Sequence, residues 1–87
     1  AGAEGDVRPV IQPQEANGFL SIKFSGNMAV IRTKPSYAST LAYHIDNYDF
    51  PEIIGTLAGD DTVMLVIAEN VGKASVLRAL RTIIPNI

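Results

Sequence analysis

The stretch Ile53-Ile54-Gly55-Thr56-Leu57-Ala58-Gly59-Asp60-Asp61-Thr62-Val63-Met64-Leu65-Val66-Ile67 holds two apolar runs rich in β-branched residues, joined by a short connection bearing glycine and aspartate. That pattern reads as a β-hairpin: a strand over about residues 52–58, a tip at Gly59-Asp60-Asp61 and a return strand over 62–68. Gly59 can take positive φ without a Cβ penalty, and Asp60 tolerates the left-handed region better than most residues. Asp60 and Asp61 then stand side by side at the tip. Two such carboxylates repel each other and invite a cation, whether metal, ammonium or guanidinium. Gly-Asp-Asp is equally ordinary turn chemistry on a solvated tip, and residue types alone leave both readings open. The return strand is apolar without alternation, which predicts cover on both faces, the second by a partner subunit.

Upstream, Thr33-Lys34-Pro35-Ser36 is a helix-start signal, a hydroxyl followed by proline. The helix is predicted to run to about Asn47. Tyr37, Ala38, Leu41, Ala42, Ile45 and Tyr48 recur at three- and four-residue spacing and form its buried stripe. Ser39, Tyr43 and Asp46 share a second, more polar stripe. Asp46 falls near the C-terminal end, where the helix dipole disfavours an acid, and this hints at an external partner. Before that helix, Phe19–Phe24 and Met28–Thr33 read as a first hairpin around Ser25-Gly26-Asn27, with Leu20, Ile22 and Phe24 on one face. Beyond the second hairpin, Asn70 is the cap candidate for a helix over about residues 71–84. Its apolar stripe is Ala74, Leu77, Leu80, Ile83 and Ile84, flanked by Val76, and Pro85 ends it. The order is ββαββα, an α+β fold with one four-stranded antiparallel sheet and two helices on one face.

Composition narrows the function. The 87 residues suit one small domain, predicted over 18–87, after a lead-in or linker at residues 1–17 whose Val10-Ile11 pair is expected to lie on a neighbouring surface. The net charge of −2 and the scattered basic residues lack the footprint of a stand-alone nucleic-acid binder. There is no cysteine, which suits a reducing compartment, and no apolar run of membrane-spanning length. With a single histidine, His44, and no cysteine, neither a nucleophilic trio nor a nitrogen or sulfur metal site assembles, and no catalytic residue or metal ligand is assigned. Gly-Asp-Asp also resembles the metal-binding tip of RNA-dependent RNA polymerases, but that enzyme needs further acids and a far larger fold. Asp46, Asp60 and Asp61 would hold magnesium or calcium only weakly. The stripe of Ser39 and Tyr43 suits an organic ligand with several polar groups.

Gly55-Thr56-Leu57-Ala58-Gly59-Asp60-Asp61-Thr62, together with Thr33-Lys34-Pro35 leading a helix that carries Asp46, resembles the C-terminal domain of the bacterial arginine repressor family over roughly residues 18–84. The resemblance implies a ββαββα domain that forms trimers, two of which stack into a hexamer with L-arginine bound between them. In that family a DNA-binding winged helix-turn-helix domain precedes this one. Residues 1–17 are too few to make it and match only the linker, so DNA contact is expected only through that domain. Carried over by position, Asp60 and Asp61 match the acidic pair that contacts arginine, and Asp46 matches the helix acid lining the same pocket. Thr56 matches a threonine beside it, and Ala58 sits where the strand backbone borders the ligand. Ser39 departs from the pattern, since a well-known member has glutamine there. Serine lacks that amide reach, which leaves room for ornithine or another arginine-pathway metabolite.

The implied function is an L-arginine-sensing oligomerisation domain of a cytoplasmic transcriptional repressor of arginine metabolism genes. It needs no cofactor, with arginine as effector, and no membrane partner. The alternatives are a generic amino-acid-binding module of similar fold and a structural oligomerisation domain without ligand.

Overall fold

Val63, Leu65 and Ile67 point to one side of their strand and are buried, while Met64 and Val66 point to the other and stay open. This alternation organises a computed structural model that describes residues 17–87. Apart from Asn17, the expected lead-in and its Val10-Ile11 pair lie outside the described residues. The elements are β1 (Phe19–Ser25), β2 (Met28–Thr33), α1 (Ala38–Tyr48), β3 (Ile53–Ala58), β4 (Thr62–Ile67) and α2 (Lys73–Leu80). They reproduce the ββαββα order. The strands form one antiparallel four-stranded sheet in the order β1-β2-β4-β3, so β1 and β3 are its edges.

One core joins the inward residues of β2 and β4 to the helices. Ala29, Ile31, Val63, Leu65 and Ile67 meet Leu41, Ala42 and Ile45 of α1 and Val76 and Leu80 of α2. Both helices therefore cover the same face. The opposite face carries Met28, Val30, Met64, Val66, Ile54 and Leu57, with no layer over it among the described residues. Among the described residues, the continuous apolar run of β4 is covered on one side only.

Several local expectations are corrected. A bulge between Phe19 and Ser21 shifts the β1 register. Phe19 thereby joins Ile22 and Phe24 against the core, and Leu20 turns outward to 58% exposure. The first hairpin closes on Gly26-Asn27, where Gly26 has φ of 58° and supplies the left-handed residue. Gly59 and Asp60 adopt no positive φ, so the second tip does not use the backbone freedom expected there.

Pro35 lies in a turn rather than in the helix, because Ser36 takes φ of 74° and interrupts the helical path. α1 therefore begins at Ala38, and Tyr37 stands just before it with its ring over Gly18. Tyr48 is exposed at the far end, stacked on Phe50 at 4.4 Å. α2 is shorter than its apolar pattern. Asn70 sits in a left-handed turn at φ of 64°, Gly72 takes the cap position without a side-chain bond, and regular helix stops at Leu80. There the bonding tightens to three-residue spacing, from the Thr82 N–H to the Ala79 carbonyl and from the Ile83 N–H to the Leu80 carbonyl. The stripe accordingly centres on Val76, Leu80 and Ile84, and Ala74 is exposed.

Candidate functional site

α1 runs antiparallel to the edge strand β3, and the predicted site residues lie along the seam between them. At one end the helix start meets the hairpin tip: the Ala38 N–H donates to the Asp60 carbonyl at 3.3 Å. At the other end the Thr56 hydroxyl donates to the Asp46 carboxylate, with both Asp46 oxygens 3.0 Å away. Two rulers agree on the separation. Eight residues of helix rise about 12 Å, and four residues of strand span about 13 Å. The seam, a trough only in outline, thus carries an acid toward each end, Asp46 bonded to Thr56 and the Asp60-Asp61 pair where the tip meets the start of α1.

Ala58 lies between the two ends. The Gly59 N–H donates to the Thr62 carbonyl at 2.8 Å, which sets the phase of the β3–β4 ladder. In that phase the main-chain groups of Ala58 and Thr56 face away from β4, toward the free edge. The side chains of Ser39, Asp46 and Asp60 are exposed. Their positions follow from local chemistry. Asp46 is held at the helix end by an Asp49 cap in left-handed conformation, whose N–H returns to the Asp46 carbonyl at 3.2 Å. Asp60 and Asp61 are held by main chain: the Asp61 carbonyl accepts from the Thr33 N–H at 2.8 Å and the Asp60 carbonyl from the Ser36 N–H at 3.0 Å. Those bonds leave the carboxylates outward.

Sequence reasoning missed three features here. The Arg32 guanidinium reaches Asp61 Oδ2 at 3.5 Å, and the Thr62 hydroxyl donates to Asp61 Oδ1 at 2.9 Å. Arg32 sits opposite Thr62 across the β2–β4 pair, a non-local register that the sequence does not display. Among the described residues it is the only cationic side chain bridged to a site acid. The two amides of Ser36 and Ala38 that share the Asp60 carbonyl were also hidden, since main-chain acceptors carry no residue signature. Among the described residues no three histidine, cysteine or acidic side chains gather as a metal cluster would require. The three acids are therefore spread along a trough rather than focused on a point.

Two grooves flank this region. One, of about 600 Å³, lies on the other side of α1 between Leu41, His44, Tyr48 and Ile83, and no carboxylate lines it. The other, of about 300 Å³, lies on the open sheet face and is walled by Met28, Ile54, Leu57, Met64 and Val66. Neither is lined by Asp46, Asp60 or Asp61. No helix among the described residues is long and apolar enough to cross a membrane.

An α+β domain with an acid-edged trough and a bare apolar sheet face is the class that fold and site define. The sequence matches the family model described as "Arginine repressor, C-terminal domain" over residues 16–82. The chain belongs to that family. Similar proteins include the arginine repressors of Bacteroides thetaiotaomicron and Phocaeicola vulgatus, 62% and 65% identical over 71 residues, covering 82% of this chain and 45% of each relative. The arginine repressor of Thermotoga petrophila is 38% identical over 85 residues, covering 91% of this chain and 56% of that protein. The chain spans about half the length of the curated relatives it matches.

Proposed function

We propose that this domain senses L-arginine and couples its binding to self-association within a cytoplasmic transcriptional repressor, without catalysing a reaction. The observation that carries the reading is the spacing of the acids. Asp46 with Thr56 and the Asp60-Asp61 tip stand at opposite ends of one trough, too far apart to close around one small group within a chain. A second copy placing its tip against the first copy's trough completes the enclosure.

Arginine fits this divided site. Its guanidinium offers a carboxylate two parallel N–H donors, a geometry lysine cannot match. Its α-ammonium suits a second acid, and the free main-chain groups of Ala58 and Thr56 at the β3 edge can bond its polar end. Without ligand, tips from facing copies repel. Arginine between them neutralises the charge and bridges subunits. Since it binds the assembled state better than the separate parts, mass action shifts the population toward assembly. The open sheet face, with Leu57 at 72% and Ile54 at 69% exposure, supplies apolar area for the tighter association within a trimer. Two trimers joined through the acidic edges make the hexamer, a closed symmetric arrangement. Coupling of this kind is typically about 1–3 kcal/mol. DNA contact belongs to a separate domain of the repressor, whose position the assembly would set.

Light scattering with and without L-arginine tests the reading, with lysine and ornithine as controls. Arginine should raise the mass from trimer to hexamer, and lysine should not. In Asp60→Asn and Asp61→Asn, calorimetry should show arginine affinity reduced at least about tenfold, with the ligand-free mass unchanged. Wild-type affinity in both variants would remove the acidic tip from the site. A mass indifferent to every ligand would leave only a structural oligomerisation domain.

A further inference from the structure

The chain has three tyrosines and three phenylalanines, and all but one of these rings are engaged by the fold. Phe19 and Phe24 pack against the core, Phe24 with the Lys73 ammonium 5.4 Å over its ring, and Phe50 is buried. Tyr48 stacks on Phe50, and Tyr37 lies over Gly18. Tyr43 is the exception, 64% exposed in the middle of α1. Its one aromatic contact among the described residues is with His44, edge to face, the centroids 5.7 Å apart, so one face of the Tyr43 ring stays open. Ser39 stands four residues before it and Asp46 three after, and all three are exposed on one stripe of the helix. Tyr43 thus lies between the two acid-bearing ends, about 6 Å along the axis from Ser39 and about 4.5 Å from Asp46. Helical side chains lean toward the N-terminus, which carries the ring from the Asp46 turn toward the Ser39 turn. The short Ser39 side chain leaves the space there free.

We propose that Tyr43 is a specificity-determining residue of the arginine site, its open ring face taking the flat face of the ligand's guanidinium while a carboxylate takes the edge. The inference rests on the arginine site proposed above and adds how that site tells a guanidinium from an ammonium. A guanidinium is planar, with its N–H donors directed outward in the plane and none on its two faces. Pairing with a carboxylate uses the edge and leaves the faces to be covered. A ring laid on one of them adds cation–π attraction and stacking without taking a donor from the acid. An ammonium has no such division. Its three donors point in three directions and it stays strongly hydrated, so ring and carboxylate compete for it. Tyr43 and Asp46 supply ring and acid within one helical turn, and the Thr56 hydroxyl, 3.0 Å from both Asp46 oxygens, steadies the acid. The short Ser39 left room for ornithine, and Tyr43 acts against it, since ornithine ends in an ammonium.

Calorimetry with L-arginine, and with L-ornithine read by its displacement of arginine, tests this on Tyr43→Leu and Tyr43→Phe. The side chain is exposed, so both variants should keep the wild-type circular dichroism and the ligand-free mass. Tyr43→Leu keeps apolar bulk without a ring and should weaken arginine about three- to thirtyfold, and ornithine less, so that the preference narrows. Tyr43→Phe keeps the ring and should bind arginine within about twofold of the wild type. Unchanged arginine affinity in Tyr43→Leu would overturn the proposal and leave the arginine site standing. An equal loss in both variants would also overturn it, by moving the role to the hydroxyl, as would an arginine-to-ornithine ratio that does not change. A smaller ligand-free particle would place Tyr43 in a subunit contact instead. Absence of arginine heat in the wild-type protein would sink the site reading, and the role of Tyr43 with it.

Discussion

Beneath the helices, Ala29 and Ile31 of β2 and Val63 and Leu65 of β4 have no solvent contact, while on the other face of the sheet Leu57 and Ile54 of β3 are the most exposed large apolar side chains described. The two faces share strands and hydrogen bonds. They differ in what covers them. The inner face is complete within one chain and accounts for its fold. Among the described residues nothing covers the outer face, and a contiguous apolar surface of this kind on a small domain marks a place where another molecule sits. Period-two alternation keeps the faces distinct, since a one-residue slip would exchange them. The acidic trough lies on the third side, at the β3 edge, where neither face dominates.

The contrast is most easily broken on the inner face. Leu65→Ala opens a cavity in a fully buried site between β4 and the helices and is expected to cost about 2–5 kcal/mol. Urea unfolding at fixed protein concentration reads the loss directly. A cost below about 1 kcal/mol would mean the inner face is not where the stability of the fold resides. On the outer face, Leu57→Asp should act in the opposite manner. The side chain is exposed in a single chain, so circular dichroism should show the native fold. If copies cover that face, each buried aspartate costs about 1–3 kcal/mol, and sedimentation should show a smaller particle. An unchanged mass would assign the outer face some other role.

Most of the architecture was legible because it rests on local pattern. The two apolar runs around Gly59-Asp60-Asp61, the hairpin at Gly26-Asn27 and the three- and four-residue spacing of Leu41, Ala42 and Ile45 fix element type and order without long-range information. What escaped was set by neighbours. The bulge that turns Leu20 outward is a property of the β1–β2 pair, not of β1. Thr33-Lys34-Pro35-Ser36 has the chemistry of a helix start, yet bonds from its amides to Gly18 and the tip make it a turn, and α1 begins later. Tyr37 and Tyr48 fit the helical period but fall beyond the sheet they were expected to face. At the site, the pairing of Asp46 with Thr56 was anticipated only as shared membership of one pocket, through family resemblance. The Arg32 contact to Asp61 depends on β2–β4 register and had no signal in the chain.

The smallest effect sharpens the boundary between fold and site. Thr56 belongs to the inner side of β3, opposite Leu65, yet its hydroxyl serves the exposed Asp46. Thr56→Val preserves the branched shape and the strand preference while deleting that hydroxyl. The lost bond is solvated at its acceptor, so the change in stability should stay under about 1 kcal/mol, less than roughly 8 °C in melting temperature for a domain of this size. Asp46 would then be free to turn away from the trough, and arginine affinity should fall severalfold, as calorimetry can measure. The informative reversal is a protein whose melting temperature falls by well over this limit and which binds arginine as before. The Thr56–Asp46 bond would then be a fastening between α1 and the sheet, and the trough would have only one functional end.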